Sequence, residues 1–257
     1  MSVRWSKTAS DHASIVKAAS EGFNCVELTV GHVMDISDEE FVLHKNLLLQ
    51  HGLVAEACTS ILPSDVVVTE KGFNLYVWME YLKKAMHRLS ELGCRKLVWS
   101  NGRARVLPWE GDIGEMKEQV LQFLHMLCEL SGNYGITVLV EPLGPRRTNY
   151  LNSMEDINDF VPLIRKDNLA SVISLRELAE ISLMPERLSD FPQLIKHVYL
   201  ENPLHTNGNK VSPRPGDDYN YRPFLSALNR IHYDGIISLP DDADSESLRY
   251  CQKLWFE

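Results

Sequence analysis

The chain has 257 residues, 44% of them hydrophobic, and carries 35 acidic against 26 basic side chains for a net charge of −9. That length is close to the roughly 250 residues of an eight-fold β/α barrel, and the acidic balance argues against nucleic acid or another polyanion as the main partner. No window approaches roughly 18 uninterrupted apolar residues, and Met1-Ser2-Val3-Arg4-Trp5-Ser6 lacks the apolar run of a signal peptide, so a soluble cytoplasmic protein with no membrane partner is expected.

Helix-like and strand-like segments alternate from the N-terminus. Residues 3–6 read as a short strand, and Asp11 caps a helix over 12–20 that closes at Gly22. Residues 25–30 form the second strand, and Ser37 with Glu40 three residues on is a capping box for a helix ending at Gly52. Strand three spans 54–61. In the helix over about 74–92, Leu75, Trp78, Met79, Leu82 and Met86 recur at helical spacing, a stripe that reads as core packing, and Gly93 ends it. Strand four covers 96–100, and a helix over about 113–131 leads to strand five. Ser153 with Asp156 opens a helix to about 165; strand six spans 169–175, a short helical stretch 185–194, and strand seven 195–201. The polar loop 202–221, rich in Pro, Gly and Asn, is of a length that is usually functional or mobile in a compact domain. Pro223 starts a helix through 231, strand eight covers 236–239, and the last helix 245–256.

Eight strands, each followed by a helix, with no break in composition, predict one domain over 1–257: an α/β fold, a (β/α)8 TIM barrel. A doubly wound open sheet is the alternative, but no glycine-rich phosphate loop follows the first strand. Cys25, Cys58, Cys94, Cys128 and Cys251 are scattered with no CxxC pair. That argues against disulfides and a thiolate zinc site, and Cys25 and Cys58 read as small core residues.

The stretch from Gly135 to Leu143 organises the chemistry. Apolar and β-branched residues run straight into Glu141, and Pro142 stops the strand pairing. A buried carboxylate there needs a metal, a cation or several hydrogen bonds. Either Glu141 is functional or it is a structural glutamate bonded to a neighbouring loop. Barrel active sites lie at the C-terminal strand ends, which makes candidates of Ser6, His32, Thr59, residues 101–105, Glu141, residues 174–177, residues 199–202 and Asp241. Arg103 and Arg105 suit a carboxylate, a phosphate or sugar hydroxyls, with surface ion pairing as the alternative. Asn149 either faces the mouth or shapes its loop. His32 and His205 read as lone, solvated loop histidines.

Several pieces in order resemble the sugar phosphate isomerase/epimerase family with its xylose isomerase-like barrel: Ser100-Asn101-Gly102-Arg103-Ala104-Arg105, Val140-Glu141-Pro142-Leu143 followed by Thr148-Asn149 and Asn152-Ser153, Ile195-Lys196-His197-Val198, residues 215–224, and residues 233–239. The resemblance implies a divalent cation (Mn, Mg or Co) held by two Glu, one Asp and one His, the glutamates also moving protons next to a carbonyl. It also implies a small sugar-like ligand and pairing into homodimers. Glu141 stands where the family's first metal-binding glutamate stands. Ser174 and Glu177 replace the family's Asp and substrate-contacting His, Tyr199 takes the position of the ligating His beside a retained His197, and Pro240 replaces the second glutamate. Three of four ligands are therefore replaced. A rebuilt metal site would draw on Glu141 with Glu177, Glu201 and Asp241; without one, Arg176 is the cation expected to compensate Glu141.

The expected ligand contacts are Arg103, Arg105, Asn149, Glu177, His197 and Tyr199, with Glu141 as the catalytic base. Two readings stand: an isomerase or epimerase acting on a small carbohydrate or hydroxy-carbonyl compound, or a sugar-binding or regulatory relative without metal. An apurinic-site nuclease would need a histidine-rich metal cluster and a basic face, neither of which the sequence displays.

Overall fold

In the computed structural model, which describes residues 3–205 and 209–256, the buried strands close into a parallel barrel in the order of the chain. The strands are β1 (Arg4–Thr8), β2 (Cys25–Thr29), β3 (Val54–Thr59), β4 (Lys96–Trp99), β5 (Thr137–Val140), β6 (Leu169–Ser174), β7 (Ile195–Tyr199) and β8 (Ile236–Leu239), β8 pairing back onto β1. Around them run α1 (His12–Glu21), α2 (Val30–Asp35), α3 (Asp38–Gln50), α4 (Leu75–Glu91), α5 (Ile113–Gly132), α6 (Met154–Ile164), α7 (Leu175–Glu180), α8 (Arg222–Arg230) and α9 (Ser245–Phe256). The predicted capping boxes at Ser37 and Ser153 both form. Residues 206–208 of the expected long loop lie outside the described residues. No described helix is long and apolar enough to cross a membrane.

Two short helices depart from the sequence expectation. Strand two was expected to reach residue 30 but ends at Thr29, whose hydroxyl accepts the His32 amide at 3.2 Å and opens α2. Strand six was expected to reach residue 175 but ends at Ser174, whose hydroxyl accepts the Glu177 amide at 3.2 Å and opens α7. In both places a hydroxyl at the end of a strand satisfies a free helical N–H, so the chain turns directly into a helix.

The main core lies between strands and helices. Leu97, Trp99, Val138 and Val140 meet Phe123 and Leu127 of α5 there, all fully buried. Alternate residues point the other way: Val98, Leu139, Ala170, Val172 and Tyr199 form a separate small cluster, the filling of the barrel interior. At the N-terminal end Glu56 is bracketed by Arg4 and Lys96, with Arg4 Nη2 at 2.7 Å and Lys96 Nζ at 3.2 Å. Ion pairs therefore tie β1, β3 and β4 together at that end.

Candidate active site

The sheet register gathers polar side chains at the C-terminal mouth. Thr8 pairs with Glu27, Ser174 with Tyr199, and Tyr199 with Ser238. Glu27 sits at the centre of this layer, only 2% exposed. Its carboxylate receives the Tyr199 hydroxyl at 2.7 Å, the Ser238 hydroxyl at 2.8 Å and His197 Nε2 at 3.0 Å. Burial pushes this carboxyl upward, but the donors from His197, Tyr199 and Ser238 outweigh it and hold the group below the usual glutamate range. The same setting, burial first and then the Glu27 charge, raises the Tyr199 phenol well above its ordinary value. Tyr199 is thus a fixed donor and not a base.

Above this floor lies a cavity of about 240 Å³ whose wall includes Glu141, Glu201, Lys210, Arg147, Tyr199 and Ser238, with the hydroxyls of Thr8, Thr59 and Ser100. Glu141 is 3% exposed and belongs to this wall. Burial pushes its carboxyl up to about 7; Lys210 opposes the shift, and the neighbouring Glu177 and Glu201 add to it. Glu201 accepts the Ser174 hydroxyl at 2.5 Å and faces Lys210 Nζ at 3.6 Å. Lys210 also lies 4.3 Å from the centroid of the Tyr199 ring. Burial works against its charge, yet Glu201, Glu141, Glu27 and Glu177 together raise its ammonium above the ordinary lysine value.

The remaining predicted residues take other positions. Arg105 is fully buried: its guanidinium donates to the Glu141 carbonyl, and to that of Leu151 at 3.4 Å, and lies 5.3 Å from the Trp99 ring centroid. It braces the backbone under Glu141 and does not line the cavity, and burial lowers its pKa to about 10. Arg103 is exposed and absent from the wall. Asn149 clips one loop to another through the Leu107 backbone, accepting from its N–H at 2.7 Å and donating to its carbonyl at 2.8 Å. Glu177 accepts the Gly144 amide at 3.0 Å and pairs with Arg147 Nε at 3.1 Å, so it positions a wall residue. His197, fully buried, reaches Glu27 beneath the cavity. Asp241 is exposed at the turn after β8, while its neighbour Asp242 holds the Ser212 amide at 2.9 Å and hydroxyl at 2.7 Å.

Lys210 and Arg147 are cations that act on Glu141. One expectation is corrected. His32 is neither lone nor in a loop: it lies in α2 with its Nε2 3.1 Å from that of His44.

Among the described residues no three His, Cys, Asp or Glu side chains converge as a ligand set for a metal ion. The site residues that escaped the sequence reading are Thr8, Glu27, Arg147, Lys210 and Ser238. For Glu27 the signal was present, a carboxylate inside an apolar strand between Val26 and Leu28. It is the same signal that marked Glu141.

A family model described as xylose isomerase-like TIM barrel matches residues 15–252. No curated protein matches significantly by sequence. Among solved structures the chain is similar to a D-psicose 3-epimerase studied in the presence of D-fructose, at 12% identity and TM-score 0.83 over 99% of this chain and 100% of that one. It is also similar to the D-allulose 3-epimerase of Methylomonas sp., at 18% identity and TM-score 0.81 over 98% of each chain. A family 2 AP endonuclease of Brucella melitensis follows the same course at 18% identity and TM-score 0.74, over 98% of this chain and 99% of that one. With the closed parallel barrel and the acid-lined mouth, these matches establish that the chain belongs to the xylose isomerase-like TIM-barrel family.

Proposed function

We propose that this protein is an isomerase or epimerase that moves a proton on the carbon next to the carbonyl of a small polyhydroxy compound. The observation that carries this reading is Glu141: a carboxyl in the cavity wall, tuned by burial to about 7. A base near neutrality both takes and returns a proton at physiological pH. Glu201 is the second acid of the same wall and serves the other face of the substrate in place of the glutamate replaced by Pro240.

The cavity supports a ligand of monosaccharide size or smaller, because its volume of about 240 Å³ falls below the roughly 300–1,000 Å³ of pockets for drug-sized ligands. Thr8, Thr59 and Ser100 supply hydroxyls that both donate to and accept from a sugar, while Ser238, whose proton goes to Glu27, accepts only. The D-psicose and D-allulose 3-epimerases share the fold, which favours sugar chemistry by analogy. The net charge of −9 opposes a nucleic acid backbone and sets the nuclease reading aside.

The donor set does not fit the four-ligand divalent site implied by the family. Glu27 already receives three donors, Ser174 gives its proton to Glu201, Tyr199 gives its own to Glu27, and Pro240 offers no side-chain ligand. The proton transfer accordingly runs through the chain's own side chains.

The test is incubation of the protein in D2O with a panel of ketoses and aldoses, following loss of the carbon-bound hydrogen next to the carbonyl by proton NMR. The wild type exchanges that hydrogen for at least one sugar and Glu141→Gln does not. Sugars that bind the wild type without exchange would make the protein the non-catalytic relative.

A further inference from the structure

We propose that the ε-ammonium of Lys210 is the resident cation of this site, doing for the substrate oxygen what a divalent ion does elsewhere in the family. The inference rests on the proton-transfer reading above and names the electrophile of the same centre.

Four observations meet at this side chain. Lys210 lines the cavity together with Glu141 and Glu201, its Nζ 3.6 Å from Glu201 Oε1. It lies 4.3 Å from the centroid of Tyr199, so the residue found in place of a ligating histidine gives the ammonium an aromatic face to rest against. The loop that carries it is tied down just beyond: the Asn202 amide donates to the Val211 carbonyl at 2.7 Å, and Ser212 donates twice to Asp242. Finally, Glu141 and Glu201 are almost completely buried, and carboxylates so placed need a nearby positive charge. An ammonium already among them repels an incoming divalent ion and removes the electrostatic demand for one.

The step balances among the chain, its substrate and solvent. The Glu141 carboxylate takes the proton from the carbon beside the carbonyl, and the C–H electron pair becomes the C=C bond of an enediolate. The carbonyl π pair moves onto oxygen, whose charge the Lys210 N–H groups hold, as a lysine clamp does at a developing oxyanion. The Glu141 carboxylic acid returns the proton to carbon and restores the carbonyl; return on the opposite face instead uses a proton that Glu201 has taken from solvent, and the proton held by Glu141 then passes to solvent. No oxidant or reductant takes part. The carboxylates around Lys210 favour its protonated form, so it acts as a hydrogen-bonding cation and not as an amine nucleophile.

The experiment has two arms. In the first, Mn2+ uptake by chelator-treated wild type, Glu141→Gln and Lys210→Met is followed by the electron paramagnetic resonance of free Mn2+. The wild type shows no stoichiometric site at millimolar Mn2+, whereas a site that disappears in Glu141→Gln overturns the proposal. In the second, wash-in of solvent deuterium is measured on the same chelator-treated proteins. Wild type keeps its full rate and gains nothing from Mn2+. Lys210→Met loses about 100-fold or more in kcat with little change in KM, the size of removing one oxyanion donor, and Lys210→Arg recovers part of it. Exchange that requires added Mn2+, or that survives in Lys210→Met, refutes the role of the lysine. Should the wild type exchange no sugar at all, the functional reading fails, and the Mn2+ arm still decides whether the lysine excludes the metal.

Discussion

Replacing Glu27 by alanine tests the floor on which the site rests. The substitution removes the acceptor of three donors at once: His197 Nε2 at 3.0 Å, the Tyr199 hydroxyl at 2.7 Å and the Ser238 hydroxyl at 2.8 Å. Hydrogen bonds to a charged group contribute about 1.5–3 kcal/mol each, but they share one carboxylate whose own desolvation offsets part of the sum. Breaking a buried charged cluster by removing one member costs about 3–5 kcal/mol, and that is the loss expected for Glu27→Ala. Glu27→Gln keeps one acceptor oxygen and turns an amide toward a donor, so about half of that loss is expected. Urea denaturation followed by far-UV circular dichroism provides the readout as a fall in the transition midpoint at unchanged slope. Acid gives an independent check. A carboxyl held below its unfolded pKa of about 4.3 stabilises the fold above that pH and loses its contribution as pH falls through the lower folded value. The wild type therefore loses more stability than Glu27→Gln on acidification below about pH 4.3. A loss under about 1 kcal/mol for Glu27→Ala would refute the assignment of this network as the support of the mouth.

Two further perturbations probe the surroundings. His44 is 4% exposed and its pKa is lowered to about 4, first by burial and then by His12 and His32. The unfolded chain binds this proton near pH 6.5 and the folded chain does not, so stability declines from about pH 6.5 to about 4, by up to about 3 kcal/mol. In His44→Gln the slope of unfolding free energy against pH over that window becomes shallower than in wild type; an unchanged slope would count against the buried neutral histidine. Gly102 has an ordinary helical backbone at φ −64, yet a Cβ there would stand 2.7 Å from the Arg147 carbonyl oxygen. Gly102→Ala therefore strains a contact and not a dihedral, costing about 1–3 kcal/mol and displacing the loop that carries Arg147. Thermal denaturation together with sugar affinity reads both effects, and unaltered values in both would show that the loop is free to move.

The barrel was legible because buried parallel strands and one-sided helices leave distinct periods in the sequence, and because capping residues such as Ser37 and Ser153 mark where helices open. Glu141 was legible for a related reason: an acid closing an apolar strand is expensive without a purpose. Arg105 and Asn149 show the limit of residue type. A guanidinium or an amide that suits a sugar suits a backbone carbonyl equally well, and these two are spent on Glu141, Leu151 and Leu107. The helices α2 and α7 are six residues each, shorter than two turns, so no periodicity announces them. Lys210 stands in a polar loop of no regular pattern, and only the closure of the chain in space sets it against Glu201 and Tyr199. The corrected reading of the site follows from that juxtaposition.

The separation between the Glu141 carboxylate and the carbon next to the carbonyl, measured in a crystal grown with a sugar that exchanges, tests the central claim most directly. A base poised for proton transfer places that carbon about 3–3.5 Å from a carboxylate oxygen, with the sugar in the cavity bounded by Glu141, Glu201 and Lys210. A sugar bound outside that cavity, or one whose reacting carbon faces away from Glu141, would contradict the account.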